Sequence, residues 1–139
     1  MESIISDMEN CIFCKVANKH IPHYPVYEND NVLAFLDIHP LAKGHTLLIY
    51  KKHVNSLEEA SDETKLQMFN AVAKIRPILT EATGAKYTLV MVAGVDVQHF
   101  HIHLIPQAEE SVLSKTKPLS FTTEEFEKIR NSISEKMPA

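Results

Sequence analysis

The stretch Val97-Gln98-His99-Phe100-His101-Ile102-His103-Leu104-Ile105-Pro106 places a histidine at every second position, each followed by an apolar residue. In a β-strand successive side chains point to opposite faces. The spacing therefore predicts His99, His101 and His103 in one row, with Phe100, Ile102 and Leu104 entering the core. Three imidazoles among apolar neighbours are costly to bury unless each has a partner, so a purely structural role explains them poorly. Two chemistries suit such a row. A His-x-His pair can bind zinc with open coordination positions, as in a Lewis-acid hydrolase. Alternatively, a neutral imidazole attacks as a nucleophile and forms a covalent intermediate, while neighbouring imidazoles offset charge developing on a phosphoryl group.

Cys11 and Cys14 form a Cys-x-x-Cys. Residues 1–10 are polar and acidic with no apolar signal core, so the pair suits a metal site or a redox couple better than a structural disulfide. Two thiolates fill half of a closed tetrahedral shell, and the remaining ligands must come from elsewhere in the chain.

The elements that must position these groups follow from local patterns. Asn10 is a candidate cap for a short helix carrying both cysteines and ending before Ile21-Pro22. Val26–Glu28 and Val32–Asp37 read as strands about the Asn29-Asp30-Asn31 turn, and His45–Tyr50 as a central strand. From Ser61 to Thr83, the apolar residues Leu66, Phe69, Val72, Ala73, Ile75, Ile78 and Leu79 recur at helical spacing. Ser61 is the expected cap and Gly84 the terminator, with a kink or early end expected at Pro77. Tyr87–Val92 is the next strand, turned by Ala93-Gly94 towards an antiparallel pairing with the histidine strand. Thr122-Thr123-Glu124-Glu125 is a capping-box pattern opening a last helix with Phe126, Ile129 and Ile133 on one face.

The chain has 139 residues, 45% of them hydrophobic, which is enough for one domain with a real core. A formal net charge of −4 without a long basic run argues against nucleic acid as a partner. No apolar run reaches the roughly 18 residues needed to span a bilayer, so no membrane partner is expected and the expected compartment is the cytoplasm. The layout expected is a tail over 1–10, a core over 11–106 and a C-terminal extension with a helix over 107–139.

His99-Phe100-His101-Ile102-His103-Leu104-Ile105 resembles the signature of the histidine-triad (HIT) nucleotide hydrolases and transferases. The resemblance extends to Cys-Ile-Phe-Cys-Lys, Val-Leu-Ala-Phe-Leu-Asp-Ile, Lys-Gly-His-Thr-Leu-Leu-Ile and Lys-Lys-His-Val. It implies an α+β, HIT-like fold: an antiparallel sheet of about five strands, one long helix and a C-terminal helix, joined in a homodimer. It also implies that His101 attacks the α-phosphorus of a nucleotide to give a nucleotidyl-histidine that water resolves, with His103 and His45 beside the phosphate. The tautomer of His101 would be set by a backbone carbonyl. Asp37 matches the ribose-binding acid, and Ile12, Phe13, Val16, Phe35, Leu36, Ile38 and Leu47 match the apolar slot around the base. Without the resemblance, each of those apolar residues reads as plain core. In members that keep the cysteine pair, Cys11, Cys14, His53 and His99 would hold a structural zinc. The branch most similar is the Hint-like one, whose members cleave purine nucleoside phosphoramidates. A dinucleoside polyphosphate hydrolase and a weakly active, zinc-stabilised nucleotide-binding protein are the alternatives.

Gly94-Val95-Asp96-Val97 departs from the family's Gly-Gln-Ser-Val or Gly-Gln-Thr-Val, which places Asp96 at a nucleotide-binding position usually held by a hydroxyl. An ionised carboxylate about 4 Å from phosphate costs roughly 1 to 4 kcal/mol. Asp96 is therefore expected to point away, to be protonated as a donor to the leaving group, or to slow the reaction. Gln107 stands where arginine often follows Ile-Pro.

Overall fold

A computed structural model describes residues 10–94, 97–108 and 118–138. The expectation for Asp96 lies outside the described residues, as does the tail over 1–9. The fold is α+β. Its elements are α1 (Ile12–Ala17), β1 (Pro25–Glu28), β2 (Val32–Leu36), β3 (Thr46–Tyr50), α2 (Asp62–Thr83), β4 (Tyr87–Met91), β5 (His101–Gln107) and α3 (Thr123–Ser134). The strands form one five-stranded sheet in the order β1-β2-β3-β5-β4, antiparallel throughout. β3 is its central strand.

Both faces of the sheet are covered, which is why every residue of β2 and β5 is buried. Val32, Ala34, Leu36, Leu48, Ile102 and Leu104 pack with residues of α2 and α3 on one side. Leu33, Phe35, Leu47 and Ile49 pack with Phe13 and Val16 of α1 on the other. Across β3 and β5, Leu47 lies opposite His103 and Ile49 opposite His101. Directly opposed residues of an antiparallel pair share a face, so both imidazoles emerge on the α1 side.

The row of three histidines is not one strand. β5 begins at His101, and His99 precedes it in a bend. Phe100, buried in the main core as expected, ties this bend down by donating its backbone N–H to Val54 O at 2.6 Å. The cap of α1 is Cys11 rather than Asn10, its Sγ accepting from Cys14 N–H at 3.4 Å. A sulfur here serves the helix end and remains available to other partners.

α2 runs unbroken through Pro77 to Thr83, so the expected early end does not occur. Pro77 removes the bond to the Ala73 carbonyl, but both residues lie on the exposed face, where water can satisfy that oxygen. Termination comes at Gly84, in the left-handed region at φ 70°, with the cap N–H bonded to Glu81 O and Thr80 O. The buried stripe of α2 is Thr64, Met68, Ala71, Val72, Ile75 and Leu79. Leu66 and Phe69, expected inside, are 62% and 42% exposed, and Ala73 is exposed too. Two apolar repeats overlap on this helix, and the sheet takes the one centred on Met68 and Ile75. α3 matches its pattern: Thr122 and Glu125 form the capping box, and Phe126, Ile129 and Ile133 are buried. No helix among the described residues is long and apolar enough to cross a membrane.

Candidate functional site: an imidazole-ended slot beside a cysteine–histidine cluster

Between α1, the α1–β1 loop and the face of β2 and β3 lies a slot of about 230 Å³. Its lining contains every apolar slot residue expected from sequence (Ile12, Phe13, Val16, Phe35, Leu36, Ile38 and Leu47), with Asp37, His101 and His103. Ile21, Pro22, His23, His39 and Val97 also line it and were missed. They sit in loops and turns, where no periodicity marks a side chain as facing a cavity. Phe13 is the hinge of the wall. Its ring meets Phe35 edge-on at 5.8 Å and His101 edge-on at 5.0 Å between centroids.

At one end of the slot the protons on three imidazoles can be assigned from their partners. His101 Nδ1 lies 2.7 Å from His99 O. A carbonyl only accepts, so Nδ1 carries the hydrogen and Nε2 of the neutral ring carries the lone pair. The sequence left this partner invisible. His45 Nδ1 accepts from Leu41 N–H at 3.0 Å, which puts the His45 hydrogen on Nε2. That Nε2–H faces His103 Nδ1 at 2.9 Å, so the neutral His103 presents Nε2–H. The result is a directed chain from Leu41 N–H through His45 to a His103 donor.

Burial is the main reason the His45 pKa falls from 6.5 to about 4; the Asp37 carboxylate opposes the shift, and the adjoining His103 ring, which would repel a protonated His45 if it took up a proton itself, adds to it. His45 thus acts as a neutral dipole and not as a cation. Asp37 Oδ2 stands 3.5 Å from His45 Nε2, while Asp37 Oδ1 accepts from His39 N–H at 2.8 Å. Asp37, His45 and His103 are close enough to hold a cation by distance alone. Leu41 N–H occupies the nitrogen that a metal-bound His45 would need protonated, so the cluster is built to donate protons to an anion.

The second grouping is Cys11, Cys14, His53 and His99, whose ligand atoms lie within 4.8 Å of one another. His99 Nδ1 is 3.2 Å from Cys11 Sγ and 3.4 Å from Cys14 Sγ. His53 Nδ1 is 3.2 Å from Cys14 Sγ. Zinc bonds of about 2.3 Å to sulfur and about 2.0 Å to nitrogen, set tetrahedrally, separate S from N by about 3.5 Å. The donor set fits. Both outer nitrogens are held as donors, His99 Nε2–H to Tyr50 O at 2.6 Å and His53 Nε2–H to Asn55 Oδ1 at 2.7 Å. Both Nδ1 lone pairs therefore point at the thiols. Burial pushes the Cys14 thiol up to about 12, helped by its contact with Cys11. Burial also takes His99 down to about 4. Three buried donors and the half-buried His53 converge on one point, and a dication there would displace the thiol protons. Asn55 and the Tyr50 carbonyl carried no recognisable signal in the sequence.

His99 belongs to both halves. Its ring faces the cysteines and its carbonyl fixes His101.

A family model described as HIT domain matches residues 18–110. Adenosine 5'-monophosphoramidase hnt1 of Schizosaccharomyces pombe is 38% identical over 106 residues, covering 73% of this chain and 77% of that protein. Among solved structures, a Hit-like protein from Bartonella henselae superimposes with a TM-score of 0.82 at 36% identity, covering 91% of this chain and 96% of that one. A Zn-bound histidine triad family protein from Mycobacterium smegmatis gives 0.77 at 25% identity, covering 91% of this chain and 95% of that one. Fold, site and relatives agree on the class: the chain belongs to the histidine-triad family, on its Hint-like branch.

Proposed function

We propose that this chain hydrolyses purine nucleoside phosphoramidates at the α-phosphate through a covalent nucleotidyl-His101 intermediate. The observation that carries the reading is the 2.7 Å contact of His101 Nδ1 with His99 O, which leaves a lone pair on Nε2 at the end of an apolar slot. Nε2 attacks the α-phosphorus, the phosphorus–nitrogen bond breaks with its electron pair leaving on nitrogen, and the leaving amine takes up a proton from solvent water, which is returned when water resolves the intermediate. Water then attacks phosphorus, releases Nε2 and yields the nucleoside monophosphate. His103 Nε2–H donates to the phosphoryl oxygens, held in that role by His45 and Leu41 N–H. Asp37 accepts from the ribose hydroxyls, and Phe13, Phe35 and Ile38 flank the base. The name of the fission-yeast relative supports the reaction class.

Cys11, Cys14, His53 and His99 would hold a structural zinc, which supplies a cross-link between α1 and the sheet. The same reading includes a homodimer, for which β4 at the sheet edge and the exposed Leu66 and Phe69 of α2 offer surface, and a cytoplasmic location. The core over 11–106 would carry the reaction, with 107–139 an extension.

The test is turnover of adenosine 5'-phosphoramidate by wild type and His101→Ala, with samples quenched and digested under alkaline denaturing conditions, which preserve a phosphorus–nitrogen bond, and analysed for an adenylyl mass on the peptide containing His101. Expected are turnover by wild type alone and an adduct on His101. Full activity in His101→Ala would overturn the assignment.

A further inference from the structure

We propose that His23 reads the base: its Nε2 accepts a hydrogen bond from the exocyclic amino group of adenine, making it the specificity-determining residue of the slot. The inference rests on the nucleotide reading above and extends it to base choice.

Apolar walls accept any flat base, because stacking and burial scarcely distinguish one purine from another. Discrimination needs a polar group whose partner is missing in the wrong ligand. The polar side chains lining the slot among the described residues are His23, Asp37, His39, His101 and His103. Asp37, His101 and His103 belong to the phosphate and ribose end. His39 follows Asp37 in its turn and is solvent-exposed. His23 stands at the other end. Its ring meets Phe35 edge-on at 5.9 Å, Phe35 meets Phe13 at 5.8 Å and Phe13 meets His101 at 5.0 Å. Two phenylalanines therefore separate His23 from the nucleophile, the order in which a nucleotide sets its base and ribose beyond its α-phosphate.

The ring's tautomer is fixed locally. His23 Nδ1 lies 3.1 Å from Ile21 O, two residues back, so Nδ1 carries the hydrogen and Nε2 of the neutral ring is an acceptor. An acceptor at the base end favours a base with an amino donor over one without it. A single hydrogen bond of this kind, made or left unmade, is worth about five- to tenfold in affinity.

The test compares AMP with purine riboside 5'-monophosphate, which differs only by lacking the amino group. Binding is measured by calorimetry for wild type, His23→Phe and His23→Ala, and kcat/KM is measured on the corresponding phosphoramidates. Wild type is expected to favour AMP about five- to tenfold. In His23→Phe the ratio falls to near one while affinity for purine riboside 5'-monophosphate is kept, because the phenyl ring preserves the contact with Phe35. His23→Ala loses the ratio as well. A ratio that persists in His23→Phe, a wild type that does not discriminate, or a ratio abolished by His39→Ala instead overturns the inference. If neither phosphoramidate is turned over but the AMP preference still follows His23, the inference stands and the enzymatic reading fails. If neither nucleotide binds, both fail.

Discussion

Replacing His45 with glutamine should change how stability depends on pH, by an amount the structure sets. His45 is 2% exposed, and burial takes its pKa from 6.5 to about 4. Between those values the unfolded chain binds a proton that the folded chain does not. The stability contributed by this group is therefore complete above 6.5, declines as pH falls, and reaches its floor below 4. A separation of about 2.5 pH units, at about 1.36 kcal/mol each, gives a total swing of about 3 kcal/mol, of which about 2 kcal/mol is reached by pH 5. Groups remote from His45, His99 among them, add slopes that are shared by wild type and variant and cancel in the difference, whereas Asp37 and His103 touch His45 and respond to its replacement, so the direction of the change is the primary readout. The assay is urea denaturation of both proteins at pH 7.5, 6, 5 and 4. Wild type is expected to be the more stable at pH 7.5, with the gap narrowing by about 2 kcal/mol at pH 5. Parallel curves across the whole range would refute the claim that His45 is held neutral, and with it the direction of the proton chain into His103.

Two further outcomes test other parts of the molecule. Asn55→Ala removes the acceptor that orients His53 at 2.7 Å and should weaken zinc binding about 10- to 100-fold in a chelator competition, leaving one zinc per chain at saturation; unchanged competition would remove Asn55 from the site. Thr122→Ala breaks the capping box of α3 and should cost about 1 kcal/mol in chemical denaturation with nucleotide affinity unaltered, whereas no loss would mean that the burial of Phe126 and Ile129 alone holds the helix.

What could be read from sequence divides along physical lines. Strands flagged by runs such as His45–Tyr50, and helix ends flagged by Ser61, Gly84 and Thr122, depend on neighbours within a few residues, and they lie within a residue of where the patterns put them. The burial of Leu66 and Phe69 was misread because a helical repeat gives the period of a stripe, not which of two overlapping stripes meets the sheet. The early end expected at Pro77 does not occur because the cost of a lost hydrogen bond depends on whether water reaches the orphan carbonyl, which is a tertiary fact. At the site, residue types marked His45, His101, His103 and the cysteines, yet the partners that give each ring its role are backbone groups. The carbonyls of His99 and Tyr50 and the amide of Leu41 belong to no residue type and leave no trace in sequence.

The split of the histidine row follows from those backbone groups. Had β5 begun two residues earlier, an antiparallel ladder could have engaged the His99 carbonyl, leaving His101 without the acceptor that fixes its proton. Ending the strand at His101 frees that oxygen and lets the His99 ring turn to Cys11 and Cys14 while its carbonyl accepts from His101 Nδ1–H. One residue thereby links the cysteine cluster to the slot. The His99 Cα joins the ring that faces the cysteines to the carbonyl that sets the His101 tautomer, so a disturbance of the cluster that shifts the backbone of this bend also reaches His101.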